Sequence, residues 1–181
     1  MLLLLDRDGV LNEERRDYVK EPRELHLIPG SANAVAELCL AGYRIVVVTN
    51  QSCVGRGIIS EGMLAEIHRL LKERVAKAGG RIDAILHCPD PPWAPTERRK
   101  PGVGMLREAL SRFCVSPEDT PMIGDSLVDL QAAAAIGCPR ILVRTGSGAE
   151  TEASGIPPNL SPIDIYPDLA SAARELVGKK R

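Results

Sequence analysis

The sequence predicts an α/β protein, and three observations lead to that fold class. Short apolar runs of the length of buried strands alternate with longer amphipathic segments of helical spacing. Strands that alternate with helices pair in parallel through right-handed crossovers. The distinctive polar residues follow directly on the apolar runs, at the edge where a parallel sheet collects its binding site. At 181 residues the chain has the length of one domain. We therefore expect a single domain over residues 1–181, a three-layer Rossmann-like parallel sheet with helices on both faces.

Each element follows from a local pattern. Strands are predicted at Leu2–Leu5, Tyr43–Val48, Ile82–His87, Pro121–Ile123 and Arg140–Val143, the last being the final core strand. Helices are predicted at 31–41, 60–79, 102–113, 126–136 and 168–177. Ser31 and Ser60 are of the residue type that caps a helix N-terminus. Residues 12–29 are expected to form a loop or small flap, residues 88–101 a proline-rich loop, and residues 146–148 a flexible turn. His68 is expected on the surface or within a helix.

Composition and charge exclude several classes of partner. The formal net charge is −1, so the chain as a whole has no pull toward nucleic acid or an anionic membrane. No apolar stretch approaches the ~20 residues of a membrane helix. The five cysteines are odd in number and widely spaced, which argues against a disulfide framework and for a reducing compartment. We expect a cytoplasmic monomer with no nucleic-acid or membrane partner.

Two carboxylates leave the first predicted strand together. Asp6 and Asp8 follow four leucines, and Gly9 permits a tight turn beside them. Carboxylates this close repel one another unless a cation or a proton separates them. Mg²⁺ is the natural hard cation for such a pair. An isolated Asp-x-Asp is usually a solvated turn, but the buried strand that precedes this one favours a metal site.

Two more polar groups follow the second and third strands. Residues 49–52, Thr-Asn-Gln-Ser, offer hydroxyl, amide and backbone donors that suit phosphate oxygens, although Thr-Asn is also a common turn. Residues 98–101, Arg-Arg-Lys-Pro, lie before a predicted helix. Lys100 can offset negative charge on a transferring phosphoryl group, and Arg99 can bind a second anionic group. A solvated basic run or a nucleic-acid patch is the alternative interpretation.

A second acidic group lies between the fourth strand and the helix after it. Asp125 follows a glycine at the strand end, which favours a role in metal binding. Asp129 is either part of the same site or a first-turn residue that the helix dipole favours.

Taken in order, these groups resemble the four motifs of the haloacid dehalogenase superfamily. The matching residues are Asp6-x-Asp8-Gly9, Thr49, Lys100 and Gly124-Asp125-x-x-x-Asp129, and the match spans most of the chain. More narrowly, Leu5–Asn12, Thr49–Ser52, Arg56-Gly57 and Arg99–Pro101 are similar to the D,D-heptose 1,7-bisphosphate phosphatases. The histidinol-phosphate phosphatases share much of that pattern. The resemblance implies a Mg²⁺-dependent phosphatase, without an inserted cap domain because neither connection that carries one is long enough.

The resemblance also implies a role for each matched residue. Asp6 would be the nucleophile that forms an aspartyl-phosphate, and Asp8 would protonate the leaving oxygen and then activate water. Mg²⁺ would be bound by the Asp6 carboxylate, the Asp8 backbone carbonyl and Asp125, with Asp129 orienting that shell. Thr49 and Lys100 would hold the phosphoryl oxygens.

Substrate contacts follow from the same resemblance. Arg99 matches a substrate-recognition arginine, and Arg56 would contact a distal phosphate. The flap contributes the residues that fall where the heptose phosphatases contact the sugar, namely Arg15, Arg16, Asp17 and Tyr18. The expected substrate site is completed by Asn50, Gln51, Ser52 and Ser126.

The implied reaction is removal of the C7 phosphate from D-glycero-D-manno-heptose 1,7-bisphosphate, a small phosphorylated sugar. One alternative is the same chemistry on histidinol phosphate or another sugar phosphate. A second is a phospho-accepting receiver module, which would take its phosphoryl group at the end of the third strand, where this chain has His87-Cys88-Pro89. A third is a phosphate-binding protein without catalysis.

The loop before Arg99 departs from the resemblance. The heptose phosphatases usually hold zinc there on cysteine and histidine ligands. In this chain only Cys88 remains, while Asp90, Thr96 and Arg98 occupy the other three positions. Because a structural zinc site needs four ligands, normally Cys or His, we predict no zinc.

Overall fold

One six-stranded parallel sheet forms the centre of the structure, a computed structural model that describes residues 1–179. The strands are β1 (Leu2–Leu5), β2 (Arg44–Asn50), β3 (Ala84–Cys88), β4 (Met122–Gly124), β5 (Arg140–Val143) and β6 (Ile163–Tyr166). Their order is β3-β2-β1-β4-β5-β6, and every neighbouring pair is parallel. The predicted α/β fold class is confirmed.

Helices cover both faces of this sheet. Within residues 1–179 the α-helices are α1 (Ser31–Leu40), α2 (Ser52–Gly55), α3 (Glu61–Lys77), α4 (Gly104–Phe113), α5 (Leu127–Ala135), α6 (Gly148–Ala153) and α7 (Leu169–Gly178). Short 3-10 turns lie at Pro22–Glu24, Pro117–Asp119 and Pro158–Leu160. Among these described helices, none has the length and apolar character that crossing a membrane requires.

The four leucines of β1 explain how the core forms on both sides of the sheet. All four are fully buried. Because side chains alternate between the faces of a strand, Leu3 and Leu5 pack into the cluster that contains residues of α1, α3 and α7. Leu2 and Leu4 pack into the opposite cluster with residues of α4 and α5. A strand buried on both faces therefore positions Asp6 at its carboxyl end.

The strand order places a crevice beside β1. The chain builds β2 and β3 on one side of β1, and then returns to build β4, β5 and β6 on the other. Ligands of open α/β sheets bind where the strand order reverses in this way, beyond the carboxyl ends of the strands.

The structure differs from the predicted elements at three places. β5 is not the final strand, because β6 pairs with it at the sheet edge; β6 is partly exposed and therefore lacks the continuous apolar run of a buried strand. Ser31 does not cap α1: Gly30 occupies that position, and the Ser31 hydroxyl donates to the Leu11 carbonyl at 2.7 Å. Residues 146 and 147 lie in a turn as predicted, but Gly148 already begins α6.

Candidate active site

Polar side chains from neighbouring strands converge at the carboxyl edge of the sheet. Asp6 and Asp8 follow β1, Thr49 lies near the end of β2, and Asp125 follows β4. Lys100 reaches the same cleft from the loop after β3. The lining of the cleft includes Asp6, Arg7, Asp8, Glu14, Arg15, Tyr18, Thr49, Asn50, Gln51, Lys100, Asp125 and Ser126.

Three carboxylates form an acidic cluster in this cleft. Asp6, Asp125 and Asp129 each place an oxygen within 4.8 Å of the others. Burial raises the pKa of Asp6 to about 7, although Lys100 acts in the opposite direction. Burial and the charges of Asp6 and Asp129 raise the pKa of Asp125 to about 8. A cation relieves such repulsion, and a set of carboxylate oxygens fits Mg²⁺, the predicted cofactor.

Both carboxylate oxygens of Asp129 already accept hydrogen bonds from other residues. Its Oδ1 accepts from Lys100 Nζ at 2.6 Å. Its Oδ2 accepts from the backbone N–H and the hydroxyl of Ser126, at 3.1 and 2.5 Å, which completes the capping box of α5. With both oxygens occupied, Asp129 is suited to orienting the site rather than to ligating a metal directly. Ser126 lines the cleft, but its hydroxyl points to Asp129.

Lys100 is the buried cation of the acidic cluster. Its ammonium group lies 3.0 Å from Asp6 Oδ1 and donates to the Val48 carbonyl at 2.8 Å. Burial opposes the charged form, but Asp129 and Asp6 outweigh it and raise the pKa of Lys100. Asn50 fixes the backbone of Lys100 by two hydrogen bonds of 3.0 Å. The side chain of Asn50, predicted to contact substrate, therefore positions Lys100.

Asp8 has a different environment from Asp6. Arg7 Nη2 donates to both oxygens of Asp8 at 2.9 Å, and amide groups of Asn12 and Gln51 donate at 2.8 Å. Burial works against ionisation, but the Arg7 charge and these hydrogen bonds hold the pKa of Asp8 below its usual range. Gln51 Nε2 also donates to Thr49 Oγ1 at 2.9 Å. Gln51, another predicted substrate contact, is thus turned toward Asp8 and Thr49.

Comparison with known proteins identifies the family. A family model described as HAD-hydrolase-like matches residues 97–172. The D-glycero-β-D-manno-heptose-1,7-bisphosphate 7-phosphatase of Pseudomonas putida is 41% identical over 176 residues, which cover 97% of this chain and 99% of that protein. The enzyme of the same name from Bordetella bronchiseptica is 42% identical over 176 residues, which cover 97% of each chain. This chain belongs to the heptose-1,7-bisphosphate 7-phosphatase family.

A solved structure of a family member supports the same assignment. The crystal structure of D,D-heptose 1,7-bisphosphate phosphatase from Bordetella bronchiseptica, complexed with magnesium and phosphate, matches this fold with a TM-score of 0.93. Sequence identity is 41%, and the match covers 98% of both chains. The predicted membership in the haloacid dehalogenase superfamily and the predicted class, a phosphatase, are confirmed.

The flap residues divide between the cleft and its surroundings. Arg15 and Tyr18 line the cleft. Tyr18 has a φ of +67°, and its hydroxyl lies 3.2 Å from Ser52 Oγ. Arg16 lines a neighbouring depression instead, and Asp17 is exposed and paired with Arg15. The four predicted flap contacts therefore do not form one group.

The two arginines predicted to recognise distal groups lie outside the residues that line the cleft. The Arg56 guanidinium lies 4.8 Å from the ring centroid of Trp93 and 6.0 Å from that of Tyr18. Arg99 Nη1 donates to the Asp90 carbonyl at 2.8 Å. Both guanidinium groups therefore contact the proline-rich loop: Arg56 packs on Trp93, and Arg99, itself part of that loop, bonds to Asp90.

Hydrogen bonds close the proline-rich loop at the positions where the family usually has zinc ligands. Asp90 Oδ2 accepts from the backbone N–H and the hydroxyl of Thr96, at 2.8 and 2.6 Å. Arg98 Nε donates to the His87 carbonyl at 2.9 Å. Cys88 is buried. These contacts connect the residues that replace the ligands, and the expected lack of zinc stays a prediction.

Gly9, Gly146 and Ser147 surround Asp125, and of these only Gly9 belongs to a motif that the sequence predicted for the site. Ser147 N–H donates to Asp125 Oδ2 at 2.8 Å. Gly9 and Gly146 have φ values of +76° and +58°, and a Cβ on either would overlap Asp125. Thr145 Oγ1 donates to the Gly9 carbonyl at 2.6 Å. The Gly-Ser-Gly pattern after β5 was the available signal, and only the fold reveals what it contacts.

Replacing Gly146 by alanine is expected to displace Asp125 and weaken Mg²⁺ binding by at least about tenfold, because the new methyl group meets the carboxylate that is predicted to bind the cation. The measurement is the Mg²⁺ concentration that gives half-maximal phosphatase activity. Gly137→Ala is the matched control, since Gly137 has a φ of +83° but open space around its Cβ position. Equal Mg²⁺ dependence in the two variants would contradict the assigned role of Gly146.

The sequence predicts His68 on the surface or within a helix, and it does not predict that this residue is buried. It lies on α3, where only 9% of its surface is exposed, and its Nε2 is 3.2 Å from Arg7 Nη1. Burial and the Arg7 charge lower the pKa of His68 to about 3. Local sequence contained no signal of this contact, since His68 and Arg7 are 61 positions apart.

Acid is expected to destabilise the protein through His68. In the unfolded chain this residue binds a proton near pH 6.5, whereas the folded pKa is about 3, so the unfolded state holds the extra proton between these values. Stability is then lost as pH falls, at up to about 1.4 kcal/mol per pH unit. Urea unfolding of wild type and His68→Gln at about pH 7.5 and about pH 5 measures this. A stability gap between the two proteins that does not change with pH would contradict it.

Proposed function

We propose that this protein removes the C7 phosphate of D-glycero-D-manno-heptose 1,7-bisphosphate by way of a phosphoryl group carried on Asp6. The observation that carries the proposal is the unequal environment of two neighbouring carboxylates. Asp6 lies in an acidic cluster beside Lys100, suited to a cation and a nucleophile. Asp8 lies outside that cluster, and hydrogen-bond donors fix the orientation of its carboxylate, as a group that exchanges a proton with the substrate requires. The substrate is the one that the names of its relatives carry.

The first half-reaction transfers the phosphoryl group to the protein. A carboxylate oxygen of Asp6 attacks phosphorus, the bond from phosphorus to the C7 oxygen breaks, and that oxygen takes a proton from Asp8. Mg²⁺ would be held by Asp6, the Asp8 carbonyl and Asp125, and would supply positive charge that lets two anions approach. Thr49 and Lys100 hold the remaining phosphoryl oxygens.

The second half-reaction regenerates the protein. Asp8, now ionised, takes a proton from water, the water oxygen attacks phosphorus, and the bond to Asp6 breaks. Asp8 must therefore start the cycle protonated, although the free protein holds its pKa low. An incoming phosphate places negative charge and less water beside Asp8, and both effects favour the protonated carboxyl. We infer that Asp8 gains its proton when the substrate binds.

The proposed substrate contacts follow from the positions of the side chains. Arg15 and Tyr18 line the cleft beside the acidic cluster, where the sugar would extend. We propose that Arg56 and Arg99, held at the proline-rich loop, receive the distal phosphate. Gln51 and Asn50 support the site indirectly: Gln51 bonds to Asp8, and Asn50 bonds to the backbone of Lys100.

Location and assembly are part of the same proposal. We propose a monomer that acts in the cytoplasm without a nucleic-acid or membrane partner. All five cysteines are free, and three of them are buried, which suits a reducing compartment. Sedimentation at increasing protein concentration tests the assembly: a mass that stays that of one chain supports the monomer, and a larger species contradicts it.

The test of function is phosphate release with Mg²⁺ from a panel of phosphomonoesters. The panel contains both anomers of D,D-heptose 1,7-bisphosphate, fructose 1,6-bisphosphate, histidinol phosphate and a nucleotide. Phosphorus NMR of the product then shows which phosphate was lost. Preference for the heptose with a 1-phosphate product supports the proposal, preference for histidinol phosphate overturns the substrate, and no release from any compound overturns the enzyme assignment.

A further inference from the structure

Arg7 lies between Asp6 and Asp8 in the sequence, and its side chain is a buried cation beside Asp8. Its side chain is 1% exposed. Its backbone N–H donates to Asp6 Oδ1 at 2.7 Å, and its Nη2 donates to both oxygens of Asp8 at 2.9 Å. A guanidinium in this position determines where the Asp8 carboxylate points.

The guanidinium is itself held by few partners. Within the described part of the chain, Arg7 Nε has no hydrogen-bond partner. Nη1 lies 3.2 Å from Nε2 of His68, which α3 brings in from behind. Because arginine stays protonated and has no acceptor, Nη1 donates and Nε2 accepts, so the proton of this neutral imidazole lies on Nδ1. His68 and Asp8 thus accept hydrogen bonds from the two terminal nitrogens of one guanidinium.

We propose that His68 is a positioning residue for the phosphatase reaction, which fixes Arg7 so that Arg7 can orient Asp8 toward the leaving oxygen. The inference rests on the proposed function, because it takes Asp8 as the acid. Without the acceptor on His68, the only side-chain partner left to the guanidinium among residues 1–179 is the carboxylate that it must orient. Asp8 and Arg7 can then turn together, and proton transfer depends steeply on such alignment.

The groups on the other side of His68 do not replace it. His87 packs edge-on against it with ring centroids 5.8 Å apart, but His87 Nε2 pairs with Glu61 at 3.0 Å. His87 and Lys72 line the same surface depression as His68, outside the catalytic cleft. His87 is therefore a matched control: the same residue type, adjacent in space and with another partner.

The leaving group of the substrate separates positioning from mere structural support. A sugar alkoxide needs a proton from Asp8 as it departs, whereas p-nitrophenolate does not. The quantity to compare is kcat/KM, which reports phosphoryl transfer to Asp6. In His68→Leu we expect kcat/KM for the heptose bisphosphate to fall about tenfold, a part of the 10²–10⁴ that a general acid supplies. For p-nitrophenyl phosphate we expect a change within about twofold.

A conservative variant tests the hydrogen bond itself. Glutamine places an acceptor where His68 has Nε2, so His68→Gln should restore kcat/KM for the sugar to within about threefold of wild type. His87→Leu should leave both substrates unchanged. If His68→Leu does not fold, as judged by circular dichroism, His68→Asn is the replacement, since its shorter side chain does not reach Arg7.

Asp8→Asn distinguishes failure of the inference from failure of the proposed function. That variant should lower kcat/KM for the sugar far more than kcat/KM for the aryl phosphate. Suppose that Asp8→Asn shows this selective loss. If His68→Leu then shows no selective loss, or lowers kcat/KM equally for both substrates, the positioning role is overturned and the role of Asp8 stands. If Asp8→Asn itself lowers both equally, the assignment of Asp8 as the acid is overturned, and this inference with it.

Discussion

Replacing Asp6 by asparagine is expected to lower kcat for phosphate release by at least about 10⁴-fold, the scale on which loss of a catalytic nucleophile is felt. In the proposed reaction the Asp6 oxygen forms the bond to phosphorus, and an uncharged amide neither attacks nor attracts Mg²⁺. Folding should survive. Burial raises the pKa of Asp6 to about 7, so the metal-free fold disfavours the charged form, and asparagine carries no charge. The metal-free variant should be at least as stable as wild type.

Three measurements test this prediction together. Steady-state kinetics gives the loss of kcat, and urea unfolding in EDTA gives the stability. Acid quenching of a reaction whose substrate carries isotopically labelled phosphorus in the C7 phosphate shows whether the label stays bound to the protein. Wild type should retain it and Asp6→Asn should not, while Asp119→Asn, which removes an exposed carboxyl, should behave as wild type. Label on the Asp6→Asn protein, or turnover that survives, would assign the nucleophile to another residue.

Replacing Lys100 by methionine is expected to destabilise the metal-free protein by roughly 3–5 kcal/mol, the cost of removing one partner from a buried ion pair. The ammonium lies 3.0 Å from Asp6 and 2.6 Å from Asp129, and both carboxylates would remain in the fold without it. Mg²⁺ should recover part of this loss, because it supplies positive charge to the same cluster. Activity should fall as well, since Lys100 is proposed to hold the phosphoryl oxygens.

Urea unfolding of Lys100→Met in EDTA and in saturating Mg²⁺ tests both parts of the prediction. Lys77→Met is the control, because Lys77 is exposed near the end of α3 and such substitutions usually change stability by less than about 0.5 kcal/mol. A Lys100→Met protein as stable as this control would show that Lys100 does not neutralise the cluster. A loss that Mg²⁺ leaves unchanged would place the cation elsewhere.

Features that depend on neighbours in the chain could be predicted from sequence. Four consecutive leucines before Asp6 indicate a strand buried on both faces, and the structure places them so. The position of Asp125 after β4 follows in the same way. Parallel strands end at one edge of a sheet, so local pattern alone was enough to expect these carboxylates together. β6 was not predicted, because a partly exposed edge strand has no comparable apolar pattern.

Only the tertiary structure decided what surrounds those carboxylates. Thr145 bonds Gly9 across 136 positions, His68 reaches Arg7 across 61, and Asn50 holds Lys100 across 50. The same fold turns Gln51 toward Asp8 and seats Ser147 on Asp125. The sequence by itself determined the carboxylates, the lysine and the family to which they belong. The residues that orient them were decided by the folded chain, because hydrogen bonds between distant segments depend on how helices and loops pack, which local composition does not encode.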